Sequence, residues 1–146
     1  MIGRLIKSTP EALESFTKVN KLAQENNIIF RASQIELLTA YCYWRAREIY
    51  NMPVRHLYLY PFSGATTLWR YVEEAHDEVI FMPATSKVIH DFKRKTNYRF
   101  TTLLEKKDSE KIRDKIIIVD GSFYLNPNID FRNVLNTFQM RGLLLA

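Results

Sequence analysis

Glycine is scarce in this chain, with four in 146 residues. That excludes glycine-rich linkers and repeats. Cysteine occurs once, as Cys42. An intrachain disulfide and a cysteine metal cluster are therefore excluded, and a reducing, cytoplasmic setting is the expectation. The three histidines, His56, His76 and His90, are too far apart to form a ligand pair and are expected at the surface or at strand ends. No apolar run approaches the ~18 residues of a membrane-spanning helix, so no membrane partner is expected. Ile2, Leu5 and Ile6 are interrupted by Gly3, Arg4 and Lys7, so a secretory leader is not expected. Charge of one sign is not in large excess: 21 Lys+Arg against 16 Asp+Glu give +5, and no basic run exceeds three residues. This balance permits phosphate contacts with nucleic acid without requiring them. What the chain has in plenty is aromatic and aliphatic surface, with 9 Phe, 8 Tyr and 2 Trp and 47% apolar residues. That is enough for one domain with a real core over 1–146.

The pattern along the chain falls into two parts. In 1–52, a helical lead-in, Thr9-Pro10 signals a helix start, Leu13, Phe16, Val19, Leu22 and Ala23 recur at helical spacing, and Asn26-Asn27 ends the run. A second helix is predicted from about Ala32 to Tyr50, closed by Asn51-Met52-Pro53. From 53 to 146 apolar strands alternate with helices. Strands are predicted near 57–62, 78–82, 99–104 and 115–120, with helices over 66–75, 86–96, 109–114 and 130–145. This alternation predicts an α/β fold with a mostly parallel sheet flanked by helices. In such sheets ligands bind beyond the carboxyl ends of the strands, so 62–66, 83–86 and 120–122 are expected on one edge.

The first of these segments carries the most specific chemistry. Ser63-Gly64-Ala65-Thr66-Thr67 follows an apolar run and precedes a helix, the layout in which backbone N–H groups at a helix start face phosphate oxygens. Gly64 provides the turn, and Thr66 stands where a hydroxyl would meet magnesium. The lysine of the G-x-x-x-x-G-K-[ST] pattern is absent, since Ala65 occupies its place, and Leu59 occupies the place of the first glycine. A lost charge-assisted contact to phosphate costs about 1.5–3 kcal/mol. The same string also fits an ordinary strand-to-helix turn capped by threonine.

Further segments, in order, resemble the ATPase cores of phage large terminases and related helicases. Phe30-Arg31-Ala32-Ser33-Gln34 resembles their Arg-x-x-Gln adenine-reading segment. Val79 to Lys87 resembles their second strand and loop. Ile116-Ile117-Ile118-Val119-Asp120 resembles the Walker B strand, and Gly121 to Asn128 is similar in character to the segment after it. The resemblance spans 28–128 and implies a P-loop NTPase-like fold. It implies a nucleotide site made of Arg31, Gln34, Ser63, Gly64, Ala65, Thr66, Thr67 and Asp120, with ATP and Mg as its ligands. Thr66 and Asp120 would be the metal contacts. A viral origin would make the compartment the host cytoplasm. Two departures accompany it: Ala65 removes the phosphate lysine, and Gly121 stands where a water-orienting carboxylate usually follows Walker B. The expectation is a site without catalytic residues, in a regulatory or interaction module of nucleic-acid metabolism. An ATPase of a packaging motor or helicase, with Ala65 an engineered change, is one alternative. A nucleic-acid-binding structural protein without a nucleotide site is the other.

For DNA or RNA the candidate contacts are Arg45, Arg47, Lys93, Arg94 and Lys95, which combine charge with expected helical exposure; a protein partner is equally open. In the Trp44–Tyr50 stretch the string fits base stacking, or a helix with Trp44 turned inward. Cys42 reads as core, and Glu73-Glu74 with Asp77-Glu78 as a polar turn. Lys115 to Asp120 fits part of a phospholipase-D-type motif, but Arg113 stands where its histidine nucleophile belongs.

Overall fold

Thr9 is extended and Pro10 supplies the fixed φ of a first helical position, so α1 runs Pro10–Glu25. The computed structural model describes residues 9–57, 63–85, 95, 99–106 and 110–146. They group into two compact units, 1–52 with 59–76 and 53–58 with 77–146.

In the first unit α1 stops in a Schellman arrangement. Ile28 N–H reaches Ala23 O at 2.9 Å and Asn27 N–H reaches Gln24 O at 3.0 Å, with Asn27 in the left-handed region at φ 61°. Helix α2, Ala32–Tyr43, then continues into a π-turn, Trp44–Glu48, closed by Ile49 N–H to Trp44 O at 2.8 Å. Residues five apart on a regular α-helix diverge by about 140°. The widened turn brings Trp44 and Ile49 inward together, and both are buried. Trp44 Nε1 donates to Met52 O at 2.7 Å, so the inward tryptophan also ties down the end of the helix. Helix α3, Ala65–Ala75, belongs to this unit and buries Leu68, Trp69 and Val72. Its rings meet those of the lead-in, Tyr41–Trp69 at 6.0 Å and Phe30–Tyr71 at 6.2 Å between centroids.

The second unit holds a four-stranded sheet, all parallel, in the order β1-β4-β3-β2. The strands are β1 (Val54–His56), β2 (Val79–Pro83), β3 (Ile116–Asp120) and β4 (Gly142–Leu145). From β2 the chain steps back one position at a time, through α4 (Phe100–Lys106) to β3 and through α5 (Phe131–Thr137) to β4. Both crossovers share one face, because one handedness and one direction permit nothing else. On that face Ile80, Met82, Ile117, Val119, Leu143 and Leu145 pack with Phe100, Leu103, Val134 and Phe138. The alternate residues Val79, Phe81, Ile116, Ile118 and Leu144 are buried as well. Strands buried on both sides read as unbroken aliphatic runs, which is how 116–119 and 143–145 read.

The α/β class and the parallel sheet stand as predicted, but three elements do not. Residues 100–106 form helix α4 where a strand was predicted, and β4 occupies 142–145 inside the predicted final helix. Helix α5 ends at Thr137 because Met140 N–H bonds Leu135 O at 3.0 Å and Gln139 turns left-handed at φ 52°. Residues 110–114 form turns, not the predicted short helix. The predicted strand 57–62 corresponds to β1 two to three residues earlier, with Leu57 N–H still bonded to Leu145 O at 2.8 Å. Residues 58–62 lie outside the described residues, as does the predicted helix 86–96 apart from Lys95, which stands in a bend. No helix among the described residues is long and apolar enough to cross a membrane.

Candidate functional site

Gly64 is the N-cap of α3 and adopts φ 81°, ψ 16°, a left-handed conformation that an L side chain resists. The cap is therefore the glycine and not a threonine. Leu68 N–H makes the first helical bond, to Gly64 O at 3.2 Å. The N–H groups of Ala65, Thr66 and Thr67 lie ahead of the helical ladder, where the helix dipole also favours an anion.

The loop does not stand alone in its unit. Ser33 Oγ donates to Ser63 O at 2.9 Å, and Gln34 Nε2 donates to Gly64 O at 3.1 Å. Gln34 Oε1 accepts from Arg31 N–H at 2.8 Å, the reciprocal half of a capping box, so Gln34 starts α2 and holds the loop with one amide. Gln34 is buried, while Arg31 is exposed. A Cβ placed on Gly64 would lie 2.5 Å from Gln34 Nε2 and 2.7 Å from a guanidinium nitrogen of Arg31. Arg31 and Gln34, some thirty positions from the loop, are thus brought against it. Ala65 is buried at 6% exposure and Thr66 and Thr67 are half-buried. A lysine at 65 would bring a positive charge to this loop; the guanidinium of Arg31 brings one against Gly64. These residues fit a phosphate-bearing ligand through backbone N–H groups and one arginine.

Asp120 ends β3 in the second unit, half-buried and paired with Pro83 of β2. Its carbonyl accepts from Ala84 N–H at 2.8 Å, while Gly121 and Ser122 N–H groups both reach Ala146 O, at 2.7 and 3.0 Å. The segments after β2 and β3 therefore share the carboxyl edge of the sheet, as predicted for 83–86 and 120–122, with Ser86 outside the described residues. Ser63–Thr66 belongs to the first unit and is described with it. Gly121 is left-handed at φ 76°. A glutamate at this position would be strained. Among the described residues no cluster of three His, Cys, Asp or Glu side chains could hold a metal ion.

Of the candidate nucleic-acid contacts, Arg47 is exposed and Arg45 half-buried in the π-turn. Lys95 is exposed, but its ammonium donates to Val79 O at 2.8 Å, so the charge is engaged at the start of β2. Lys93 and Arg94 lie outside the described residues.

One polar array was not foreseen. His76, expected at the surface, is buried at 5% exposure, and Glu73, read as part of a polar turn, is buried too. His76 Nδ1 lies 3.2 Å from Val72 O, and Nε2 lies 2.9 Å from Ser15 Oγ. A carbonyl can only accept, so Nδ1 carries the hydrogen, and in the neutral ring Nε2 accepts from Ser15. Ser15 Oγ in turn accepts from Cys42 Sγ at 3.6 Å. Burial pushes the Cys42 thiol up to about 12, against smaller lowering effects from Ser15 and the charge of Arg45. The thiol is therefore protonated and unreactive at neutral pH. His56 behaves as predicted, exposed at a strand end with its ring 5.9 Å from Phe131; His90 lies outside the described residues.

In comparisons with known proteins the chain matches no family model, no curated protein and no solved structure.

Proposed function

We propose that this chain is a nucleotide-binding module of P-loop type that has given up hydrolysis and serves as a regulatory or interaction domain in nucleic-acid metabolism. The observation that carries this reading is the contact of Arg31 and Gln34 with Gly64. Two segments that resemble parts of one nucleotide site in terminase and helicase cores meet in space, around a left-handed glycine at a helix start. The parallel sheet with Asp120 at its carboxyl edge is in keeping with that fold. Ala65 and the strained position of Gly121 argue against turnover, because the phosphate lysine and the water-orienting acid are both missing. Burial of Ala65 favours alanine as the residue for which the site is built, over an engineered loss of lysine.

Titration of the purified chain with ATP, with and without magnesium, tests the reading. Saturable binding is expected without phosphate release; turnover near ~1 s⁻¹ would place it among ordinary enzymes and overturn the silent-site reading. Arg31→Gln is expected to weaken nucleotide binding by about tenfold or more, the scale of one charge-assisted hydrogen bond. Its far-ultraviolet circular dichroism should show the helices retained, because the residue is exposed at a helix start. Ala65→Lys is a poorer test, since a lysine there must displace buried packing. A second reading, a nucleic-acid-binding module without a nucleotide, is favoured by the exposed Arg47 and Tyr50 and would follow if ATP does not bind.

A further inference from the structure

The π-turn that buries Trp44 and Ile49 has a consequence on its outer side. Arg47 is exposed, and Tyr50, three positions on, is 79% exposed; Met52 is 43% exposed. Tyr50 is also held outward by what surrounds it. Ile49 before it is buried, Asn51 and Met52 N–H groups return to Glu48 O at 3.0 and 2.8 Å, and Trp44 Nε1 clamps Met52 O at 2.7 Å. The phenol ring is thus exposed three positions from an exposed arginine, just beyond a π-turn, a feature that recurs at functional sites.

We infer that this surface takes single-stranded nucleic acid, with Tyr50 stacking on a base and Arg47 meeting an adjacent phosphate. The charge is of the right sign: residues 43–52 hold Arg45 and Arg47 against Glu48. A ring face plus a cation is the minimal unit of sequence-tolerant strand binding, and the paired bases of a duplex offer no face to such a ring. Within the described stretch 43–52 the exposed large apolar side chains are Tyr50 and Met52, flanked by Arg47 and Asn51, which is small for docking a protein by hydrophobic contact. The inference rests on the reading of the chain as a module of nucleic-acid metabolism and not on nucleotide binding at Gly64. The two can therefore fail separately.

Fluorescence anisotropy of a labelled homothymidine strand, titrated at several salt concentrations, is the test, with an ATP titration of the same preparations alongside. Tyr50→Ala should weaken strand binding by about 5- to 150-fold at fixed salt without altering the salt dependence, because stacking involves no counterions. Tyr50→Phe should bind like the natural chain. Arg47→Gln should lower the slope of log K against log salt by about 0.7, one phosphate contact on a single strand. Phe123→Ala should leave strand binding unchanged; Phe123 is 75% exposed with its ring 4.2 Å from that of Tyr124, and serves as the aromatic comparator. The inference is overturned by absence of strand binding at low salt. It is equally overturned by a Tyr50→Ala chain that binds like the natural one, by a duplex bound as tightly as the strand, or by loss of binding on Phe123→Ala instead.

Discussion

Gly64→Ala is expected to destabilise the chain by about 2–4 kcal/mol, the sum of left-handed strain and the loss of one or two hydrogen bonds. The strain follows from φ 81°, where a Cβ meets the following carbonyl. The second part follows from crowding. The added carbon would lie 2.5 Å from Gln34 Nε2 and 2.8 Å from Gln34 Cδ. Gln34 is buried and bonded at both ends of its amide, so it cannot swing away without releasing Gly64 O or Arg31 N–H. Gly121→Ala is the internal control. Its φ is nearly the same, 76°, but the nearest atom to an added Cβ is Tyr124 Cδ2 at 3.6 Å, an ordinary contact. Only strain remains there, about 1–2 kcal/mol. Urea unfolding of both variants checks the difference. Equal losses would mean that Gln34 and Arg31 yield without cost and that the loop is not held by them. Nucleotide binding, if the loop provides it, should disappear in Gly64→Ala and persist in Gly121→Ala.

What could be read from the sequence divides along physical lines. The helix starts at Pro10 and near Ala32, the turn at Gly64 and the strands 79–83 and 116–120 were legible, because each is marked by a local signal: proline at a first turn, a glycine before a threonine pair, an unbroken aliphatic run. Phe100 to Leu104 misled because aromatic and β-branched residues favour strands, whereas burial falls on Phe100 and Leu103, a helical spacing. Strand β4 was hidden because its three leucines follow a helix that ends without a glycine, Gln139 taking the left-handed position that glycine usually holds. The π-turn was illegible for a different reason. It has no sequence signal of its own and arises from the need to bury Trp44 and Ile49 together. At the candidate site the loop itself was visible, and so was the Arg-x-x-Gln segment. Their contact was not, since a hydrogen bond from Gln34 to Gly64 depends on how α2 packs beside α3. His76 was missed because Glu73-Glu74-Ala75-His76-Asp77 reads as a polar stretch, and only the packing of α1 against α3 brings Ser15 to the imidazole.

That same buried array sets a large pH dependence. The native chain should lose stability between pH 9 and 12 at about 1.4 kcal/mol per pH unit through Cys42 alone. The sign follows from proton counting. The unfolded thiol releases its proton near the ordinary value of 9.0, while the native thiol keeps it until about 12. Across that window the unfolded state binds fewer protons than the native state, so unfolding becomes progressively easier as pH rises. Below 9 both states hold the proton and the contribution is fully present. By pH 12 the loss amounts to about 4 kcal/mol, a large share of the stability of a domain of this size. Lysines and tyrosines titrate in the same range, so the measurement is a difference: urea unfolding of the natural chain and of Cys42→Ala at a series of pH values. At neutral pH the variant should be the less stable, because it leaves a small cavity and removes the S–H donor to Ser15. As pH rises from 9 the natural chain should lose that advantage and then fall below the variant. Parallel curves would show that the thiol ionises in the folded chain at its ordinary value, and that the Ser15–His76 side of the helical unit is open to water.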